Sequence, residues 1–225
     1  MDLTMVLRMS RSLIPFLFVI SGCSQQMSSF YETSKIAVFG QDDLKVSSDY
    51  VKNLPYASIY LKIGNAPRGF VVLGEVNQQN LKWYSADHAM VMTHVGRVVK
   101  TVGLPHDLNY SSNSDTDPLI NSRSMLNMKT PVYWDHQEFS ANPPFRSGLR
   151  YQSTFTNNGV DTVKILDQSR QVIQIEENVT VAALSKTYRN IFWLDPMTGA
   201  VVQSEQYLYP ADTLVQLTVL KPYAG

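Results

Sequence analysis

From Ala57 onward, apolar residues return at every second position in short runs, and turn residues separate the runs. In "YASIYLKI", Ala57, Ile59, Leu61 and Ile63 alternate with Ser58, Tyr60 and Lys62. Successive side chains of an extended chain point to opposite faces, so a period of two marks a half-buried strand, not a helix. The turn "GNAPRG" leads to "FVVLGEV", "NQQN" leads to "LKWYSAD", and "AMVMTHV" passes through Gly96 to "VVKTVGL". Short strands at regular spacing predict an antiparallel meander.

The second half keeps this pattern. "PVYWDHQEF", "GLRYQSTFT", "VDTVKILD" and "RQVIQIEENVTV" read as strands, with "TNNG" predicting a hairpin turn between the second and third. "RNIFWLDPMTGAVVQSEQYLY" is the clearest hairpin: Asp195-Pro196 opens its turn, and Gly199 supplies the positive φ that closes it. "TLVQLTVL" is a final strand, and residues 105–122, rich in Asn, Asp, Ser and Pro, read as a long exposed loop. Eight or more strands in one antiparallel sheet must hide their edges, which predicts a barrel-like or two-layer sandwich domain. Runs such as "QVIQIEENVT" are too polar for the apolar outer band of a transmembrane barrel. A short helix is expected on the N-terminal side. "QQMSSFYETSKIAVFG" has roughly helical spacing, and "VSSDYVKNLP" predicts a turn of helix capped by Ser47 or Ser48 and halted by Pro55.

Upstream of this body lies the chain's single cysteine, Cys23. Arg8 and Arg11 precede an eight-residue apolar run, Leu13 to Ile20, too short for the roughly 20 residues that cross a bilayer. A basic start, a short apolar stretch and a small-residue exit describe a cleavable signal peptide. Ile20-Ser21-Gly22-Cys23 resembles a bacterial lipobox, in which the thiol, the strongest ordinary nucleophile, is alkylated by a diacylglycerol donor. Residues 1–22 are therefore expected to be removed, leaving one domain, 23–225, held to a membrane through lipid on Cys23. Two or more acyl chains are needed for stable anchoring. Ser24, where an Asp commonly signals inner-membrane retention in such lipoproteins, implies sorting to the outer membrane. Met5 and Met9 are alternative starts.

The mature chain has 203 residues, with 17 basic and 18 acidic side chains. That balance excludes an electrostatic nucleic-acid binder, which presents a basic face. Its length suits one domain burying roughly 70% of its unfolded surface. With Cys23 lipidated no thiol remains for a disulfide.

"YETSKIAVFGQDD", "LPYASIYLKIGNAP", "HVGRVVKTVGLPHDL" and "FWLDPMTGAVVQSEQYLYP" together resemble the YjbF-type lipoproteins of group 4 capsule and exopolysaccharide operons. The likeness runs from about Tyr31 to Pro210, and residues 105–150 depart most. It implies a periplasm-facing outer-membrane lipoprotein assisting secretion or assembly of a surface polysaccharide. It also implies an outer-membrane β-barrel export protein and a periplasmic companion as partners. The family carries over no catalytic set, and neither a cofactor nor a metal is expected.

The residues agree with a non-enzymatic reading. In "WDHQE", His136 and Glu138 share a strand face that Asp135 does not, which gives two side chains where a zinc enzyme needs three ligands; a solvated strand face is the simpler expectation. Asp87-His88 has the same weakness. Asp115 and Asp117 in "NSDTDP" lack the Gly and distal Glu of a calcium loop. No Gly-x-Ser-x-Gly elbow appears, although a serine–histidine pair assembled by the fold leaves no spacing in sequence. Trp83, Trp134 and Trp193 lie on predicted strands with polar neighbours. Exposed, they would stack on sugar rings of the polysaccharide; buried, they fill the core as aromatics normally do.

Overall fold

The computed structural model describes residues 43–86, 89–104, 107–140, 148–208 and 213–225. Twelve strands form one antiparallel sheet: β1 (Ser58–Ile63), β2 (Gly69–Asn77), β3 (Asn80–Tyr84), β4 (Met90–His94), β5 (Arg97–Val102), β6 (Leu108–Ser111), β7 (Val132–Ser140), β8 (Leu149–Ile165), β9 (Gln168–Val181), β10 (Lys186–Leu194), β11 (Val201–Leu208) and β12 (Thr213–Lys221). Their order across the sheet is 5-4-3-2-1-12-11-10-9-8-7-6. Strands β1 and β12 therefore pair in the middle of the sheet, and β5 and β6, consecutive in the chain, are its two edges. The sheet curls until these edges lie side by side. The outcome is a nearly closed barrel, which satisfies the need to hide edges.

The alternation expected for β1 has its inner half as read: Ile59 and Leu61 pack inside with Trp83, Val91 and Leu217. Its outer half departs from expectation, because Ser58 and Tyr60 are buried as well. A second layer covers them. Helix α1 (Ser48–Asn53) lies outside the barrel, capped by the Ser47 hydroxyl, which accepts from Tyr50 N, and it ends ahead of Pro55 as predicted. Its Val51 packs with Tyr60, Phe70, Trp193 and the distal residues Val163, Ile165 and Val172 of β8 and β9. The long β8–β9 arm thus folds over the outer face, and the Trp193 indole donates to Asp161 on it at 2.8 Å. The helix expected within residues 25–40 lies outside the described residues.

Two sequence expectations are corrected. "TNNG" is no hairpin turn: β8 runs through it as one 17-residue strand. The register shifts between Asn157 and Gly159, so Asn and Gly here serve a β-bulge, which also needs residues tolerant of positive φ. Gly159 takes φ 88, and the Asn157 side chain donates to the carbonyls of Met125 and Leu126. The actual turn is Leu166-Asp167.

Nor is the described part of the stretch 105–122, residues 107–122, an exposed loop. They contain β6, two 3₁₀ turns (Ser114–Thr116 and Pro118–Asn121) and the start of helix α2 (Ser122–Met125). Leu108, Leu119 and Met125 are buried. Leu119 and Met125 pack with Trp134, Phe155 and Phe192, so the β6–β7 connection plugs one end of the barrel. The polar composition concealed this because the polar groups find partners; the buried Asp117, for one, accepts from Leu119 N.

The β10–β11 hairpin is as predicted. Asp195 accepts from Met197 N and Thr198 N, and Gly199 has φ 78. A Cβ on Gly199 would meet the Arg123 backbone at 2.8 Å, because this turn packs on the plug.

Candidate functional site

Among the described residues, backbone pairing gives way to side chains at two places in the barrel wall that differ in how they are closed. One is the seam between β5 and β6. There the Thr101 hydroxyl donates to Asp107 at 3.0 Å and accepts from Leu108 N at 2.9 Å. Asp107 also accepts from Gly103 N and Leu104 N, each at 3.0 Å. The other lies between β10 and β11. Their ladder runs from Leu194–Val201 to Ile191–Glu205 and stops there. Beyond it, Tyr207 N donates not to the β10 backbone but to the Asn190 side-chain carbonyl at 2.9 Å.

Asn190 connects this split to a buried charged cluster. Its amide donates to Glu177 Oε2 at 2.8 Å, and Arg97 Nη1 donates to the same oxygen at 2.9 Å. Arg97 also forms a two-bonded pair with Asp117 of the plug. The guanidinium lies over the Trp134 ring at 4.6 Å and the Phe192 ring at 5.1 Å. Burial disfavours the guanidinium charge, but Asp117 and Glu177 overcome this and raise the Arg97 pKa above its ordinary value. For Glu177, burial likewise disfavours the charge, and Arg97 with its hydrogen bonds outweighs it, leaving the carboxyl below the usual range. All three side chains are buried, out of a substrate's reach. What the cluster does is mechanical: it ties β5, β9 and the plug together.

The outer side of the split is open. A groove of about 610 Å³ lies there, lined chiefly by Asn178, Thr180, Thr187, Arg189, Glu205 and Tyr207. The rings of Tyr188 and Tyr207 meet across the split edge to face, centroids 5.9 Å apart. Burial pushes the Tyr188 phenol up, and the carboxylate of Glu138 adds to it.

The sequence candidates fall elsewhere. Trp83, Trp134 and Trp193 are 4%, 5% and 8% exposed. Trp83 donates to Thr93 within the barrel, Trp134 to Thr116 of the plug, and Trp193 to Asp161 under the β8–β9 arm. A buried ring offers no face to a sugar, so the glycan-contact expectation for these three is corrected in favour of core filling. His136 and Glu138 do share a face, but it is the inner one, not a solvated one. His136 is stacked between Trp134 and Tyr151, at 4.0 and 5.0 Å, with Glu138 at 3.4 Å from its Nε2. Asp135 points outward to Arg150. Asp115 and Asp117 do not converge: Asp117 binds Arg97, and Asp115 is exposed. Among the described residues, no three His, Cys, Asp or Glu side chains are placed to hold a metal. Cys23 and the Asp87–His88 pair lie outside the described residues.

Sequence reasoning missed Glu177, Asn190 and the tyrosine pair. Glu177 had left a signal: it occupies the same inward parity as Ile175, Val179 and Val181, and a charge at an apolar position predicts a buried partner. The split left none, because it is a property of strand pairing.

The sequence profile of the family described as "Group 4 capsule polysaccharide lipoprotein gfcB, YjbF" matches residues 31–220. The chain belongs to the YjbF family. Two relatives from Escherichia coli (strain K12) are similar over nearly their whole length. The uncharacterized lipoprotein GfcB is 36% identical over 92% of this chain and 95% of its own. The uncharacterized lipoprotein YjbF is 28% identical over 93% and 96%. Among solved structures, the hypothetical lipoprotein YmcC from Escherichia coli (K12) superposes with a TM-score of 0.75 at 33% identity, covering 89% of this chain and 95% of that one. The nearly closed barrel is therefore also the fold of a lipoprotein relative.

Proposed function

We propose that this YjbF-family chain is a lipid-anchored accessory protein of the outer membrane, facing the periplasm, that assists secretion or assembly of a capsular or exopolysaccharide by contact and not by turnover. The observation that carries the reading is a lipobox at Ile20–Cys23 directly upstream of a body that matches a capsule lipoprotein family throughout. The signal peptide is residues 1–22 and the mature domain 23–225. Its partners are an outer-membrane β-barrel export protein and a periplasmic companion of the same system.

The geometry supports a contact role. The described body begins at Asp43, whose carboxylate accepts from Arg68 N in the β1–β2 turn. Between Cys23 and Asp43 the chain can reach at most on the order of 70 Å, which keeps the barrel near the bilayer. The strongest charges are locked inside as the Arg97 cluster.

Deleting the gene and measuring surface polysaccharide tests the proposal. Surface polymer should fall, the wild-type gene should restore it, and the Cys23→Ser gene should not. Unchanged polymer after deletion contradicts the role.

A further inference from the structure

We propose that the groove at the β10–β11 split is a saccharide site that receives a short run of the polymer chain. This inference rests on the capsule reading above and gives it a contact point that the three buried tryptophans cannot supply.

The lining has the chemistry a sugar requires. Sugar hydroxyls both donate and accept, so they are matched by side chains that present both roles within a small area. Thr187 and Thr180 stand opposite each other across β10 and β9, and so do Arg189 and Asn178. Glu205 completes the rim from β11, held in place by Gln216 at 2.8 Å. The Arg189 side chain is 64% exposed, and its contact with Glu176, at 3.4 Å, is long. Its donors are thus available to a ligand. The C–H face of a sugar ring needs an aromatic surface, and the partly exposed Tyr207 of β11 lines the groove beside these polar groups. The volume, about 610 Å³, falls within the range of roughly 300–1,000 Å³ that small-molecule sites occupy.

An added peptide strand is the competing occupant of a broken ladder. Two observations disfavour it. The Tyr207 N–H that a strand would use is already taken by Asn190, and the two tyrosine rings close the gap between the strands. The groove also lies at the end of the barrel where the described chain begins. Lys186, at the start of β10, is at the same end as the β1–β2 turn that holds Asp43.

The test uses the full mature chain and oligosaccharides released by partial acid hydrolysis from the host's own surface polysaccharide, with titration calorimetry and saturation-transfer NMR as readouts. Binding should be detected. The exposed changes Arg189→Gln and Thr187→Val should each weaken it at least tenfold with the melting temperature unchanged. Met197→Ala, exposed in the β10–β11 turn at the opposite end of these strands from the groove, should leave binding as it was. Absence of binding by the wild-type chain, or equal binding by Arg189→Gln and Thr187→Val, overturns the site. So does an outcome in which these variants lose capture of the export partner and not the sugar, which assigns the groove to a protein contact and leaves the accessory role standing. Conversely, Cys23→Ser protein should bind the oligosaccharides normally while failing in cells, so the anchor and the groove fail separately.

Discussion

The two breaks in the barrel wall are built alike and finished differently. At β5–β6 the edges are joined by Thr101 and Asp107, backed from inside by Arg97 holding Asp117 and Glu177. At β10–β11 one side chain, Asn190, bridges the gap, and the outer surface dips into a groove. In the first, side chains replace backbone bonds to close the wall. In the second they satisfy only the donor that would otherwise be stranded, and the rest is left to water or a ligand. Pairing lost at a seam costs stability unless side chains replace it; pairing lost beside a polar hollow leaves an opening in the outer face.

The largest expected effect comes from removing the charge that backs the seam. Arg97→Met leaves two carboxylates buried without a cation and should cost about 3–5 kcal/mol in denaturant unfolding. A loss under about 1 kcal/mol would mean that the surface bonds alone close the barrel. The same cluster contributes to the acid limb. The folded-state pKa of Glu177 is lowered, so its contribution is fully present above the ordinary carboxylate value of 4.5 and is lost as pH falls through the lower folded value. Glu177→Gln should flatten the loss of stability below about pH 4.5, followed by thermal unfolding across pH.

Next come the two bridging residues. Asp107→Ala removes three accepted bonds from the closed seam, and Asn190→Ala strips the Tyr207 amide and one donor from Glu177. Each should cost about 1–3 kcal/mol. Amide exchange separates them: Asn190→Ala should speed exchange at Tyr207, while Asp107→Ala should leave that amide alone and expose Leu104. Equal responses at both places would erase the distinction drawn between the breaks. The smallest effect belongs to Tyr133→Ala. That ring is 76% exposed, and its removal should change stability by no more than about 0.5 kcal/mol.

What the sequence made legible was local. Alternation located the strands, Ser47 and Pro55 bounded helix α1, and Asp195 with Gly199 specified their turn, because each depends on residues a few positions apart. Asn157-Asn158-Gly159 was misread because a bulge and a tight turn both favour residues tolerant of positive φ; the choice is made by β9, which pairs on both sides of the bulge. The plug was misread because Asp117 looks like a solvated loop residue until Arg97 is placed beside it, 20 positions away. For the tryptophans, alternation indicated strands but not what covers their outer faces. Trp193 is on the outside of the barrel and is buried only because the β8–β9 arm returns over it. The groove required knowing where the β10–β11 ladder ends, which no local pattern records.

The anchor is the premise that the location, the partners and the contact role share. Its most direct test is mass spectrometry of the N-terminal peptide of the protein taken from native membranes. The account predicts a chain beginning at Cys23 with a diacylglyceryl group on its sulfur. A peptide that begins elsewhere, or a Cys23 with a free thiol, contradicts it.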